Sequence, residues 1–268
     1  MDHAVILARG LGTRMRKSDP AAQLDPSQAA MADCGLKAMI PIGRPFLDYV
    51  LHVLAQAGYR KVCLVIGPEH QAVREYYAKL QPRRLTVEFA VQAEPRGTAD
   101  AVAAAEACVG REPFLTINSD NYYPLEAVQG LRNDTGAAIA AFDQDAMVAA
   151  SNIPVERLNK FAVIETDAEG FLTKIHEKPD EATLRRLPKP LGMSMNCWRF
   201  GPAIFEACRS IDPSPRGELE ITDAVQYAVD RLGERFRVHR YRAPVLDLSS
   251  RNDVAAVAEK LSSAEVDL

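Results

Sequence analysis

The segment Ile6–Arg16, ILARGLGTRMR, places two glycines, a threonine and arginines directly behind a short apolar run. Glycine loses much backbone entropy on folding, so a glycine pair at the end of a strand indicates a sharp turn or a close approach to another group. The arginines indicate that this group is an anion. A plain tight turn is the alternative interpretation of the glycines alone.

Two common phosphate-binding motifs do not fit this segment. A dinucleotide-binding fingerprint needs a third glycine or alanine where Arg14 and Met15 stand, and a Walker loop needs Gly-Lys followed by Ser or Thr. The segment instead predicts a strand followed by free backbone N–H groups and a guanidinium, both of which bind phosphate oxygens.

The composition is that of a globular protein, with 268 residues, 47% hydrophobic and 25% charged. A net charge of −4 argues against a protein that coats nucleic acid. No apolar run approaches the roughly 20 residues that span a bilayer, and the amino terminus does not resemble a signal peptide. Five widely spaced cysteines without a CxxC pair are typical of small core residues in a reducing compartment. We therefore expect a cytoplasmic protein without nucleic-acid or membrane partners.

Short β-rich runs alternate with helical patterns in the first half of the chain, which predicts parallel strands joined by crossover helices. From about Phe161 the strands follow one another with fewer helices, which predicts an antiparallel or mixed extension. The predicted strands are AVILA (4–8), KVCLVI (61–66), LTVEFAV (85–91), PFLTIN (113–118), AAIAAF (137–142), FAVIET (161–166), FLTKIHE (171–177), MSMNCWRF (193–200) and PVLDL (244–248). We expect an α/β fold, a Rossmann-like mixed, mostly parallel sheet flanked by helices.

Three helices have clear patterns, and one segment has none. The first carries an apolar stripe from Phe46 and ends at Gly58, the second (ITDAVQYAVDRLG, 221–233) has Thr222 as its predicted cap, and the third is RNDVAAVAEKL (251–261). The polar, alanine-rich stretch 17–35 is interpreted as a long irregular loop, a kind of segment that is usually functional or mobile.

Five further motifs follow the glycine corner in order along almost the whole chain. They are GLKAMIPIGRPFLDYVL (35–51), with Lys37 before a short strand and a helix, QAEPRGTADAV (92–102), LTINSDNYY (115–123), HEKP (176–179) and VLDLSS (245–250). Together they resemble the nucleotidyltransferase family that joins nucleoside triphosphates to sugar 1-phosphates. The resemblance implies the nucleotide-diphospho-sugar transferase type of fold, in a single domain over residues 1–268. Its halves would be a nucleotide-binding half, 1–145, and a sugar-phosphate-binding half, 146–268.

The resemblance also assigns roles to residues. It implies a catalytic set of Arg14, Lys37, Asp120 and Lys178. It implies nucleotide binding by Leu7, Ala8, Gly10, Gly12, Thr13, Gln92, Gly97 and Thr98. The sugar phosphate would be bound by Glu177, Lys178 and Asn196.

A metal site is expected where two apolar strands end. Asp120 follows FLTIN and Asp247 follows PVL, and parallel strands deliver such residues to the carboxyl edge of a sheet. Mg²⁺ prefers one or two carboxylates together with waters and phosphate oxygens. The resemblance implies that these two aspartates share Mg²⁺.

The sequence departs from the family pattern at three points. Twenty-two residues separate Arg14 from Lys37, about twice the usual gap, and Leu36 replaces the expected proline. Arg9 stands where the family carries a small residue, so it either adds a cation beside the triphosphate or points into solvent.

The expected reaction is Mg²⁺-dependent transfer of a nucleotidyl group from a nucleoside triphosphate to a sugar 1-phosphate, releasing pyrophosphate. UTP or dTTP is the preferred donor because the Gln92 amide can both donate to and accept from such a base. GTP, CTP, ATP and a non-sugar acceptor remain alternatives, as does a catalytically silent module that binds nucleotide sugars. Homo-oligomerisation is compatible with all of them.

Overall fold

The computed structural model describes residues 1–268 and contains eleven strands and thirteen α-helices, which alternate along much of the chain. The strands are β1 (His3–Leu7), β2 (Lys61–Ile66), β3 (Thr86–Val91), β4 (Phe114–Asn118), β5 (Asn121–Tyr122), β6 (Ala138–Asp143), β7 (Val163–Thr166), β8 (Leu172–His176), β9 (Gly192–Phe200), β10 (Arg237–Tyr241) and β11 (Leu246–Asp247). The helices are α1 (Thr13–Arg16), α2 (Pro26–Cys34), α3 (Phe46–Ala57), α4 (Gln71–Leu80), α5 (Thr98–Ala104), α6 (Glu106–Val109), α7 (Leu125–Asn133), α8 (Gln144–Ala150), α9 (Val155–Leu158), α10 (Glu181–Arg186), α11 (Ala203–Ser210), α12 (Ile221–Leu232) and α13 (Asp253–Leu261).

The main sheet has the strand order β10-β6-β9-β4-β1-β2-β3. β9 is antiparallel to both of its neighbours in this order, β4 and β6, whereas the other pairs are parallel. The hairpin of β7 and β8 extends this sheet by pairing with the start of β9, and β5 pairs with β11 in a separate two-stranded ribbon. The prediction of a mixed, mostly parallel sheet flanked by helices is confirmed.

Alternating side chains of the central strands bury both faces of the sheet. Ala4 and Ile6 of β1 belong to a core cluster of 44 buried residues, whereas Val5 belongs to a second cluster of 25. Burying one aliphatic side chain of this kind contributes roughly 1.5–3 kcal/mol, so the carboxyl edge of the sheet is firmly held. Trp198 is fully buried and stacks on Phe200. None of the thirteen helices has the length and apolarity needed to cross a bilayer.

The stretch 17–35 is not the irregular loop that its composition indicated, because α2 occupies its second half. The side chain of Asp25 accepts hydrogen bonds from the first turn of this helix, and Oε1 of Gln28 accepts one from the N–H of Asp25. Gly35 ends the helix in a left-handed conformation. The helix lacks a periodic apolar stripe, so the hydrophobic pattern of the sequence did not predict it. Its capping box, Asp25 to Gln28, was the available signal.

Two further local predictions were wrong. The expected short strand after Lys37 is a 3₁₀ turn, Lys37–Met39. Thr222 lies inside α12 with a buried hydroxyl that has no hydrogen-bond partner, so it does not cap this helix. The hydroxyl of Thr98 performs that role by accepting a hydrogen bond of 2.8 Å from the Ile221 N–H. The helix does end at Gly233, as expected.

Strand β10 was not predicted, because its sequence RVHRY has two arginines and a histidine among five residues. It pairs with β6 at the edge of the sheet, and an edge strand tolerates such side chains because one of its sides faces solvent.

The glycine corner and the end of α2 are packed backbone to backbone. Gly12 has a φ of 61°, and a Cβ placed on it would lie 2.5 Å from the carbonyl oxygen of Gly35. A Cβ placed on Gly35 would in turn overlap the carbonyl of Leu11 and the Arg16 side chain. Residues 17–35 are therefore anchored at the glycine corner and not merely appended to it.

We expect Gly12→Ala to destabilise the protein more than Gly233→Ala. Both positions are left-handed, which costs a non-glycine residue about 1–2 kcal/mol, but a Cβ on Gly233 meets nothing within 4 Å. Urea unfolding should therefore show a loss of about 1 kcal/mol for Gly233→Ala and at least about 2 kcal/mol for Gly12→Ala. Equal losses would contradict the close approach of Gly12 and Gly35.

Candidate active site

The carboxyl ends of β1, β3 and β4 open onto a cavity of about 370 Å³. This is where open α/β sheets bind ligands, because successive parallel strands deliver their following residues to one edge. Ten of the residues singled out from the sequence line it: Leu7, Ala8, Gly10, Thr13, Lys37, Gln92, Gly97, Thr98, Asp120 and Asn196. Arg9 and Glu218 line it as well.

The glycine corner presents backbone donors to this cavity. The N–H groups of Gly10, Leu11 and Gly12 donate to no other backbone group in the protein. A Cβ on Gly10 would lie 4.0 Å from the Cε of Lys37, so the corner and this side chain are adjacent. Free N–H groups next to an ammonium form an arrangement that suits an anion.

Lys37 and Asp120 form an ion pair at the floor of the cavity. Lys37 comes from the 3₁₀ turn and Asp120 from the turn between β4 and β5, and their side chains are only 16% and 17% exposed. Opposite charges attract more strongly where solvent is partly excluded, so the ammonium is held beside the carboxylate. The extra residues before Lys37 therefore do not displace it from the site.

The ribbon of β5 and β11 brings Asp247 next to Asp120. Asp247 pairs with Asn121, and the N–H of Leu248 donates a 2.8 Å hydrogen bond to the carbonyl of Asp120. Oδ1 of Asp247 accepts hydrogen bonds from Nδ2 of Asn121 at 3.0 Å and from Oγ of Ser249 at 2.9 Å. Its Oδ2 is buried without a hydrogen-bond partner, although NH2 of Arg157 lies 3.2 Å away.

Burial and the neighbouring Asp120 carboxylate raise the pKa of Asp247 to about 6, against the opposing effects of Arg157 and Ser249. Two adjacent carboxylates repel each other, and an oxygen without a donor remains available to a cation. The pair therefore fits a hard divalent ion such as Mg²⁺. No group of three or more His, Cys, Asp or Glu side chains in the chain is arranged to hold a metal.

Arg14 lies at the mouth of the site and is linked to Asp247 through Ser249. Its NH2 is 3.4 Å from Oγ of Ser249, which donates to Asp247. The Arg14 side chain is exposed and forms no ion pair, so it is available to a ligand.

Gln92 is buried, and its amide orientation is fixed by two acceptors. Its Nε2 donates to the carbonyl of Gly97 at 2.9 Å and to Oδ2 of Asp100 at 2.8 Å. Both amide hydrogens are thus used within the protein, and only Oε1 can face a ligand. Gly97 itself is required, because a Cβ there would lie 2.4 Å from the carbonyl oxygen of Leu219.

The structure does not bring Lys178 and Glu177 into the cavity wall. Both are exposed after β8, and Lys178 has neither an ion pair nor a side-chain hydrogen bond. Glu177 borders a separate polar cleft between β8 and α12. Asn196, which does line the cavity, has a positive φ of 53° in β9, next to a bulge in its pairing with β6.

Two positioning residues were missed in the sequence. Asp253 accepts a bidentate pair of hydrogen bonds from Arg157, each of 3.0 Å, and also binds the N–H groups of Ser249 and Ser250. This network fixes the loop that follows Asp247. The spacing from Ser250 to Asp253 matches a capping box and could have identified Asp253, whereas Arg157 has no comparable signal.

We expect Asp247→Asn to stabilise the metal-free protein, and more so at neutral than at acidic pH. The raised pKa means that the native state holds a proton that the unfolded chain has lost between about pH 4 and 6, so wild-type stability falls across this range. The gain for the variant should grow with pH to at most about 3 kcal/mol. Urea unfolding in chelator at pH 4.5 and 7.5 measures it, and a gain that shrinks with pH would contradict the assignment.

Comparison with known proteins places this geometry in a family. Residues 3–241 match the model of the nucleotidyl transferase family. The chain is 29% identical to the low-salt glycan biosynthesis nucleotidyltransferase Agl11 of Haloferax volcanii, over 84% of this chain and 58% of that protein. It is 30% identical to the glucose-1-phosphate thymidylyltransferase of Streptomyces griseus, over 85% of this chain and 57% of that protein. The chain thus spans less than two thirds of the length of these two relatives.

Two other matches extend over whole chains. The UTP–glucose-1-phosphate uridylyltransferase AglF of Haloferax volcanii is 28% identical, with 96% of both chains covered. The solved structure of a UDP-glucose pyrophosphorylase complexed with UDP-glucose superposes with a TM-score of 0.74 at 20% identity, covering 99% of this chain and 100% of that one, which shows a shared fold. The family match over most of the chain confirms the resemblance seen in the motifs: the protein belongs to the nucleotidyl transferase family.

Proposed function

We propose that the protein transfers a nucleotidyl group from UTP or dTTP to a sugar 1-phosphate in a Mg²⁺-dependent reaction. The observation that carries the proposal is that Lys37 and Asp120 line one cavity beside the free N–H groups of the glycine corner, with Asp247 held next to Asp120 by the ribbon of β5 and β11. The names of the relatives, thymidylyltransferase and uridylyltransferase, support the choice of donor and acceptor.

Charge is the main obstacle to this reaction. An oxygen of the sugar phosphate attacks the α-phosphorus of the triphosphate, and pyrophosphate leaves. The nucleophile is already anionic, so no strong general base is needed, but two polyanions must be held in contact. Cations and oriented N–H donors reduce this repulsion, and each such group can contribute several kcal/mol.

The nucleotide side of the site supplies these groups. In the proposal, the N–H groups of the glycine corner and the Arg14 guanidinium hold the triphosphate and orient the leaving pyrophosphate. Lys37 neutralises charge at the reacting phosphates, for which its ammonium must turn from Asp120. Asp120 and Asp247 would hold Mg²⁺, which when bound supplies a Lewis acid to the phosphate oxygens.

The sugar side requires residues from the second half of the chain. The unpaired Lys178 ammonium would bind the sugar phosphate, and Glu177 would accept hydrogen bonds from sugar hydroxyls. Asn196, which lines the cavity, would contact the same substrate. Because Lys178 and Glu177 stand outside the cavity wall, the sugar 1-phosphate would extend from the cavity toward β8.

Gln92 and Gly97 supply the selection of the base. Oε1 of Gln92 can only accept, and the N–H of Gly97 donates to no backbone group of the protein. An acceptor next to a donor complements the ring N–H and adjacent carbonyl of uracil or thymine. Guanine presents the same order, but cytosine and adenine present the reverse.

The setting of the proposed reaction is the cytoplasm. All five cysteines are free thiols, which is compatible with a reducing compartment. The proposed partners are the two substrates, and a homo-oligomer is compatible with this proposal.

We expect Asp120→Asn and Asp247→Asn each to lower turnover at least about 100-fold, because each removes a carboxylate from the Mg²⁺ site. Pyrophosphate release from a triphosphate and glucose 1-phosphate measures this effect, and far-UV circular dichroism verifies folding. Asp212→Asn is the matched control, because Asp212 is exposed and forms no ion pair.

Near-normal pyrophosphate release by both active-site variants would refute the metal assignment. If the wild-type protein releases no pyrophosphate with any sugar 1-phosphate but binds nucleotide sugars, it is a silent binding module instead. Release with an alcohol phosphate alone would assign a non-sugar acceptor.

We expect Gln92→Leu to reduce kcat/KM for UTP or dTTP by about 10- to 100-fold, because the base N–H loses its acceptor. The change in CTP use should be smaller, since the amide oxygen does not fit cytosine. Five triphosphates assayed against a panel of sugar 1-phosphates, with the product mass determined, give the comparison. Wild-type preference for CTP or ATP would contradict the assigned role of Oε1.

A further inference from the structure

Arg9 is a buried cation whose hydrogen-bonding capacity is largely unused. Its side chain is 7% exposed, and it lines the cavity directly before Gly10. Neither its Nε nor its NH1 has a hydrogen-bond partner, and NH2 reaches Oε2 of Glu69 only at 3.4 Å. Leaving two N–H groups of a guanidinium buried and unpaired is costly, so these atoms indicate a ligand that completes them.

The surroundings of Arg9 do not balance its charge. Its single ion-pair partner, Glu69, is 52% exposed. Burial lowers the pKa of the neighbouring His70, with Glu69 opposing and the charges of Arg9 and Arg16 adding to the effect. His70 is therefore neutral at pH 7, and two arginines share this corner with one solvent-exposed carboxylate.

We propose that Arg9 binds phosphoryl oxygens of the nucleoside triphosphate, as an additional cation of the glycine corner. This inference rests on the proposed function, because it assigns a further group to the same substrate. The guanidinium fork matches two phosphate oxygens, and a triphosphate supplies the negative charge that the corner lacks. Glu69 is exposed enough to release Arg9 when the ligand arrives.

The position of Arg9 in the sheet favours phosphate over base. β2 lies between β1 and β3, so the backbones of Arg9 and Gln92 are two strand spacings apart, about 10 Å. In contrast, Gly10 directly follows Arg9, and a Cβ on Gly10 would lie 4.0 Å from Cε of Lys37. The backbone of Arg9 is thus next to the residues proposed for the phosphates and two strands away from the residue proposed for the base.

Binding of inorganic tripolyphosphate and of uridine, measured separately by titration calorimetry, tests the proposal. Arg9→Met keeps the apolar stem and removes the fork, and Arg9→Lys keeps the charge alone. Arg83→Ala is the matched control, because Arg83 is exposed and forms no ion pair. Thermal unfolding of each variant verifies that it is folded.

We expect Arg9→Met to weaken tripolyphosphate binding by about 10- to 100-fold, and Arg9→Lys to weaken it less, with uridine binding unchanged in both. The control should bind both probes like the wild type. Should Arg9→Met fail to fold, Arg9→Lys carries the test, and wild-type affinity in that variant overturns the role of the fork.

Tripolyphosphate affinity that is unchanged in Arg9→Met overturns the proposal, and so does an equal loss for both probes. So does a wild-type protein that binds no tripolyphosphate. These outcomes can be told apart from a failure of the proposed function. If the enzyme turns over and its activity does not depend on Arg9, only the role of Arg9 is contradicted. If tripolyphosphate binding depends on Arg9 but no turnover is detected, only the proposed reaction is contradicted.

Discussion

The repulsion between Asp120 and Asp247 is the constraint on which the rest of the site depends. Two carboxylates do not remain adjacent in a buried place unless the backbone holds them there and cations stand nearby. The ribbon of β5 and β11 provides the first condition, through the pairing of Asp247 with Asn121. Lys37 and Arg157 provide the second, each paired with one of the aspartates. The site thus contains both carboxylates and cations before any substrate binds.

Much of the fold could be predicted because its central strands are buried on both faces. Runs such as KVCLVI have no other plausible role, and β2 coincides with the predicted segment. The elements that were missed lack this signal. β10 is an edge strand with a charged sequence, and α2 has no apolar stripe, so both depend on tertiary pairing or on capping more than on periodicity.

The candidate site was predicted to a similar extent and for a related reason. Asp120, just after a strand, was placed at the carboxyl edge of the sheet because parallel strands end there, whereas Gln92 was assigned through the resemblance of its motif. The network that supports Asp247 was not predicted, because Arg157 and Asp253 come from α9 and α13 and approach Asp247 only through the packing of distant segments. The use of both Gln92 amide hydrogens within the protein also lies beyond sequence reasoning, because Asp100 is an ordinary residue of the first turn of α5.

The turn at Gly97 is joined to the approach of α12 by three hydrogen bonds. Ala99 N–H donates to the Leu219 carbonyl at 2.8 Å, Leu219 N–H donates to Arg96 at 2.7 Å, and Ile221 N–H donates to the Thr98 hydroxyl. A segment from the first half of the chain thereby holds the start of a helix from the second. If the two halves were separated, each fragment would contain backbone N–H groups that lose their acceptors. A chimera that takes its second half from another protein would therefore have to preserve these three hydrogen bonds between residues 96–99 and 219–221.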